Sequence, residues 1–318
     1  PPGTYYAQVQ AADGTDPNDG PLFVSSVGIT PSADLLQYFQ ASLNYQNLGS
    51  QAPNDAGADE LREVDQRSNP SDPRASIVAN YYDFTGGDEG LGIPPIDAIN
   101  TDTQTDLCVT MAVRANNMPE VDANIVLYEA GGAPGGLSLS LRQGSLYGAV
   151  WNNNNASSQW WASTPFGQVG QDAIVSMQHS LEGSGGITLR INGQVVAGPL
   201  GNDTAISPGG VGNVEPETAF GHISLRTRYP KGDPLGLGVE FFSNNVRLQG
   251  RIYGAALYRV DPNDSLAVNV GQTDQTSAYQ SAIAAVERFV AEQNGLAGLL
   301  PQEGQPPVVA VQRHHRGR

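Results

Sequence analysis

The 318-residue chain is long enough to bury a sizeable core, and 39% hydrophobic content with 38 glycines and 22 prolines fits short strands joined by many turns. With 32 acidic side chains against 16 basic ones the net charge is −16, and Lys231 is the one lysine, a balance that argues against nucleic acid or an anionic membrane as a partner. Cys108 stands alone, so no intrachain disulfide can form, and no stretch has the length of a membrane-spanning helix.

Taken in chain order, residues 1–75 are polar and rich in Asp, Asn, Gln, Gly and Pro. Apolar runs occur at Leu22-Phe23-Val24 and Leu35-Leu36-Gln37-Tyr38-Phe39. Pro31-Ser32-Ala33-Asp34 caps a predicted short helix running through Leu43, and the polar run from Asn44 to Arg74 offers little core. This region is expected to be an extended N-terminal arm that makes assembly contacts. From Ala75 onward the texture changes to spaced strands, predicted at Ile77–Phe84, Asp106–Arg114, Ala123–Glu129, Gly136–Arg142, Ser145–Trp151 and Ala173–Leu181. Further strands are predicted at Gly186–Ile191, Gln194–Ala197, Thr218–Ser224, Val239–Phe242 and Gln249–Tyr258.

The hairpin in this series is the most explicit. Ile187, Leu189 and Ile191 alternate with Thr188 and Arg190, then Asn192-Gly193 supplies the pair that best accepts the two positive φ angles of a type I′ turn. Gln143-Gly144 marks another tight turn, and Gly131–Gly136 a longer loop. Cys108 is expected to be a buried, inert thiol, inward-facing if Val109 points outward. Near the end the period switches to that of a helix over 277–293, with Tyr279, Ile283, Val286, Phe289 and Val290 on one stripe that needs an apolar surface to cover. Asn294-Gly295 gives its stop, and 301–318, ending in Arg313-His-His-Arg-Gly-Arg318, reads as a flexible basic tail. The pattern predicts an all-β chain: a two-sheet antiparallel jelly-roll sandwich over 76–262, an arm over 1–75, and a C-terminal segment over 263–300 that carries the helix.

Three passages give this pattern a resemblance. Asp106-Leu-Cys-Val-Thr-Met-Ala-Val-Arg114 is similar to an early core strand, and His179-Ser-Leu-Glu-Gly with Ile187–Gly193 to a strand and Asn-Gly turn. Leu248-Gln-Gly-Arg-Ile-Tyr-Gly-Ala-Ala-Leu-Tyr258 is similar to a closing strand. Together, residues 76–260 resemble the concanavalin A-like jelly rolls, in the laminin G-like branch that includes the pentraxins. The following helix is like one that trails many bacterial and phage members. The resemblance implies a sandwich that binds glycans or calcium rather than one that must catalyse.

Retaining hydrolases of this fold place two carboxylates about 5 Å apart. The nearest sequence, Glu63-Val-Asp65-Gln-Arg-Ser68, lacks the second glutamate and lies in the polar arm. Lyases of the fold resemble an Arg, Gln-x-His and Tyr set, whereas Met177-Gln178-His179 has the wrong spacing. His179 and His222 are expected to be sheet residues satisfied by their neighbours, and no nucleophile elbow or phosphate loop is present. The chain is therefore expected not to be an enzyme.

The candidate recognition surface is Tyr147-Gly-Ala-Val-Trp151-Asn-Asn153-Asn154-Asn-Ala-Ser-Ser-Gln-Trp160-Trp161, which holds all 3 tryptophans among amides. Sugar rings present apolar C–H faces edged by hydroxyls, which suit flat aromatics and amide side chains. The alternative is that Trp151 and Trp161 are core residues on paired strands joined by a polar turn. Calcium, a ligand the resemblance implies, would fall to the acidic loops at Asp88, Asp122 or Asp203, none of which shows a ligand comb. Asp13-Gly-Thr-Asp16-Pro-Asn18-Asp19-Gly20 lacks the closing Glu of a calcium loop.

The expected function is a non-enzymatic component of a larger surface assembly, such as a virion decoration, spike or fibre, or a cell-surface appendage. It would dock other subunits through arm and tail and display the jelly roll to surface glycans. The Pro1-Pro2 start and the lack of a signal peptide fit a phage structural protein made in the cytoplasm. A secreted monomeric lectin or carbohydrate-binding module is the alternative, and a glycosidase or polysaccharide lyase follows it.

Overall fold

At Asn192-Gly193 the backbone takes φ of 50° and 78°, the left-handed pair that closes Gly186–Ile191 and Gln194–Leu200 into a tight hairpin. The computed structural model describes residues 6–7, 22–23, 33–49, 61, 64–66, 69–72, 74–86, 89–93, 107–119, 123–132, 135–152, 159–180, 186–200, 221–223, 244–260 and 275–301. In chain order the strands are β1 (Tyr6–Ala7), β2 (Leu22–Phe23), β3 (Ala33–Gln40), β4 (Val64–Gln66), β5 (Asn69–Asp72), β6 (Ser76–Val78), β7 (Tyr81–Thr85), β8 (Leu91–Ile93), β9 (Leu107–Ala115) and β10 (Ala123–Gly132). They continue with β11 (Gly135–Arg142), β12 (Ser145–Asn152), β13 (Gln159–Pro165), β14 (Asp172–Ser180), β15 (Gly186–Ile191), β16 (Gln194–Leu200), β17 (Gly221–Ile223), β18 (Asn244–Asn245) and β19 (Gln249–Val260). Helix α1 (Gln275–Gln293) and a 3-10 turn at Ala297–Leu299 follow.

The larger sheet runs β1-β2-β3-β19-β9-β14-β15-β16, and the β6–β7 hairpin joins it through β7. The smaller sheet runs β13-β12-β11-β10-β17-β8. Pairing is antiparallel apart from β18 beside β10 and an isolated bridge between Arg74 and Gly90. Strand β19 organises the larger sheet. Along one side it pairs with β9, and along the other with β7 at Gln249–Ile252 and then with β3 at Gly254–Val260. A Cβ at Gly250 would collide with the carbonyl oxygen of Arg114, so only glycine lets β19 approach β9 this closely.

Two apolar layers hold the fold together. Between the sheets lie Leu107, Val109, Met111 and Val113 of β9, Val175 and Met177 of β14, and Leu189 of β15, against Leu137, Leu139, Leu141 and Leu146 of the smaller sheet. On the other face of the larger sheet, Cys108, Ala112, Ile174, Tyr258 and Val260 pack on Ile283, Val286 and Val290 of α1. Each fully buried aliphatic side chain contributes about 1.5–3 kcal/mol. Because its centre is covered on both sides, β9 is buried almost continuously instead of alternating. Cys108 is buried as expected, but it faces the helix while Val109 faces the opposing sheet. The helix ends where expected. Gly295 at φ 73° lets its N–H reach Glu292 O at 3.2 Å while Leu296 N–H reaches Ala291 O at 2.7 Å.

Three expectations need correction. The helix foreseen from Pro31 through Leu43 is strand β3, whose Leu36 and Phe39 enter the inter-sheet core and whose Leu35 and Tyr38 enter the helix-side core. Residues 33–49 therefore belong to the sandwich although they lie in the stretch expected as an arm. Leu61 also reaches the inter-sheet core; the Arg74 guanidinium lies 3.8 Å over the Tyr45 ring and donates to Leu61 O at 3.0 Å. The strand foreseen over Ile77–Phe84 is two strands, because Ala79 takes φ 55° and turns the chain at Ala79-Asn80. The strand foreseen at Val239–Phe242 lies outside the described residues, as does the tail after Pro301.

Candidate functional site

Strands β12 and β13 carry the aromatic segment. The register sets Tyr147 between Ser140 and Ser163, Ala149 between Ser138 and Trp161, and Trp151 between Gly136 and Gln159. Tyr147, Ala149 and Trp151 alternate with Leu146, which is buried in the inter-sheet core. They therefore occupy the register positions turned away from the inter-sheet core, where Tyr147 is half-buried and Ala149, Ser138 and Ser140 are buried, and Trp161 shares them. Trp160 pairs with Val150 at the alternate positions, in step with the buried Ala162. Tyr147 is half-buried, and β13 ends the smaller sheet among the described residues. Asn153 and Asn154 lie in the connection between the strands, outside the described residues. Beneath this surface, a Cβ at Gly148 would lie 2.7 Å from Met177 Sδ and 2.8 Å from Leu189 Cδ2, so glycine lets the two sheets close here.

The residues weighed for catalysis are scattered. Asp65 sits in the short β4–β5 pair, which is not hydrogen-bonded into either main sheet, and Glu63 lies outside the described residues. His179 is fully buried in β14, opposite Ile187 of β15, and His222 is in β17 opposite Glu129. The calcium candidates Asp88, Asp122 and Asp203 all fall outside the described residues. Among the described residues no group of three His, Cys, Asp or Glu side chains is gathered.

Sequence reasoning missed two polar arrangements on the helix-side face of the larger sheet. Under α1, Arg190 Nε and Nη2 each donate to a Glu287 carboxylate oxygen at 2.9 Å, and Nη2 also donates to Gly193 O at 2.8 Å. Burial works against the charge on Arg190, but Glu287 overrides it and holds the guanidinium more firmly protonated than usual. Nearby, Thr110 Oγ1 lies 2.8 Å from Ser176 Oγ and 3.0 Å from the Tyr258 hydroxyl. Burial pushes the Tyr258 phenol well up.

The second arrangement lies near Gly254, where Asn294, just past the end of α1, packs. The register lines up four charges across four neighbouring strands. Asp83 of β7 stands opposite Arg251 of β19, Arg251 opposite Arg114 of β9, and Arg114 opposite Asp172 of β14. The Arg251 guanidinium lies 4.3 Å over the Tyr81 ring, and Tyr81 meets Tyr253 edge-on at 5.9 Å. The Tyr253 hydroxyl donates to Asp172 Oδ1 at 2.8 Å. Period-2 pairs in the sequence, Tyr81-x-Asp83 and Arg251-x-Tyr253, each place two of these groups on one face. Only the register between strands unites them.

Comparison with solved structures finds partial likenesses at low identity. The ligand binding domain of botulinum neurotoxin serotype D, solved with N-acetylneuraminic acid, is 11% identical, covers 75% of this chain and 51% of its own, and gives a TM-score of 0.47. The mouse laminin alpha1 LG4-5 domains are 15% identical over 66% of this chain and 48% of theirs, with a TM-score of 0.39. The CBM40 of a Ruminococcus gnavus IT-sialidase, bound to alpha2,3 sialyllactose, is 14% identical over 53% of this chain and 84% of its own, at 0.34. The chain spans about half the length of the toxin domain it matches. No family model and no curated protein matches the sequence. The architecture itself is a two-sheet antiparallel sandwich with a helix on the outer face of one sheet.

Proposed function

We propose that this protein is a non-catalytic recognition module that binds glycans on the face of β12 and β13 turned away from the inter-sheet core. The observation that carries the reading is the register. It sets Tyr147, Trp151 and Trp161 around the small, buried Ala149 beside the last strand of the sheet among the described residues, with an amide-rich connection between β12 and β13. Such a surface offers flat aromatic area with hydrogen-bonding groups at its border, at little cost in side-chain entropy. The mixed polarity of residues 1–32 and 302–318 supports incorporation into a larger surface assembly, at a virion or cell surface, through those segments. Calcium at Asp88, Asp122 or Asp203 would be an accessory to such binding.

A glycan array probed with the full chain, followed by titration of its hits, tests this reading. Trp161→Ala and Tyr147→Ala are expected to weaken binding at least tenfold while leaving the fold intact. Trp160→Ala, at the alternate register position, is expected to act on stability instead. Unchanged affinity in folded Trp161→Ala and Tyr147→Ala variants would remove this surface as the site. Deleting residues 1–32, which removes β1 and β2 but spares β3, is expected to abolish defined oligomers while circular dichroism stays unchanged; a folded monomer before and after deletion favours the lectin alternative.

A further inference from the structure

We infer that the row Asp83–Arg251–Arg114–Asp172 is a second binding site, for a carboxylate group. It lies on the opposite side of the sandwich from β12 and β13. Two arginines directly opposite one another on neighbouring strands repel, and a purely structural ladder would close each against a carboxylate. Here neither pair is closed. The approach of Arg114 Nη1 to Asp172 Oδ1 is 3.8 Å, with those side chains 35% and 29% exposed. The Arg251 guanidinium is stacked on Tyr81, and the Tyr253 hydroxyl and the Asp172 carboxylate favour its charge, but among the described residues no ion pair joins it to Asp83 or to Asp172. Arg114 Nε reaches Asn116 Oδ1 only at 3.3 Å.

A guanidinium carries five N–H donors in a planar fork, so most of the ten in this pair remain for a ligand. The Tyr81 ring holds the Arg251 fork from one face, which lowers the entropic cost of holding an anion there. A planar carboxylate bridging Arg114 and Arg251 would relieve their mutual repulsion and accept from both forks. The net charge of −16 repels anions at long range, so binding should depend on direct contact and persist in salt, where that repulsion is screened.

The site is testable with glucuronate-bearing oligosaccharides, their carboxyl-reduced counterparts, and free succinate, titrated calorimetrically into the full chain. The oligosaccharide is expected to bind at least tenfold more tightly than its reduced form. Arg251→Gln and Arg114→Gln should each cost about tenfold, and Asp83→Asn, which removes a competing carboxylate, should tighten binding severalfold. Equal affinity of succinate would identify a free carboxylic acid as the source rather than a sugar. Binding to neither probe, equal binding of the reduced form, or no effect of both arginine variants with Tm preserved would overturn the inference. Failure of this site would leave glycan binding at β12–β13 untouched, because those residues lie on the other sheet.

Discussion

The helix-side face of the larger sheet treats two arginine–carboxylate meetings in opposite ways. Under α1, Arg190 and Glu287 close at 2.9 Å with 7% and 1% of their side chains exposed. Past the helix end, Arg114 and Asp172 stand 3.8 Å apart and about a third exposed. The first has exchanged water for a complete set of protein contacts and so locks helix to sheet. The second keeps water and unused donors, which is what a ligand site requires. What separates them is the reach of α1, which ends at Asn294-Gly295 beside Gly254.

Alkali should break the closed regions first and most completely. Burial pushes the phenols of Tyr128 and Tyr258 up, as it does those of Tyr38 and Tyr82. A group whose folded pKa is raised stabilises the fold below its unfolded pKa, and that contribution is lost as pH rises toward the folded value. Stability is therefore expected to fall above about pH 10, the unperturbed phenol value. The last part of the phenolate absorbance of the 12 tyrosines should appear only with loss of far-UV circular dichroism; ionisation of all 12 with the fold intact would show the buried phenols to be open to solvent.

Removing half of the closed ion pair comes next. Glu287→Ala leaves a buried guanidinium and is expected to cost about 3–5 kcal/mol in urea unfolding. Replacing both partners together with Met and Leu should be near neutral. A loss below about 1 kcal/mol in the single variant would mean that water reaches the pair. Gly148→Val must push Met177 and Leu189 aside and should cost about 1–3 kcal/mol.

Gly295→Ala places a Cβ at a left-handed helix end and should cost about 1 kcal/mol, read as a lowered Tm. Smallest of all, Asp172→Asn in the open row should change stability by about 0–1 kcal/mol. A loss as large as that of Glu287→Ala would show the row to be as structural as the closed pair.

Much of the fold was legible because local chemistry and burial agreed. The Asn192-Gly193 turn, the strands β9 to β12 and β14 to β16 and the α1 stripe all combine the right period with the right terminus, whereas β13 was not foreseen as a strand. Strand β3 was not legible for a physical reason. Leu35, Leu36, Tyr38 and Phe39 are buried on both faces, so alternation vanishes and the spacing fits a helix turn as well. The β6–β7 turn was hidden because Ala79 takes a positive φ that its side chain gives no hint of. The aromatic segment could be found from its composition, but which tryptophans share a face depends on pairing with β11. The charged row depends entirely on register, since its four members come from four strands and Asp172 lies 89 positions after Asp83, a spacing without local pattern.

The most direct test of glycan recognition on the β12–β13 face is a calorimetric titration of one neutral oligosaccharide, chosen from the array, into wild type, Trp161→Ala and Arg251→Gln. At least a tenfold rise in Kd for Trp161→Ala, with Arg251→Gln indistinguishable from wild type, is the expected result. Equal Kd in all three, with circular dichroism unchanged, would contradict it.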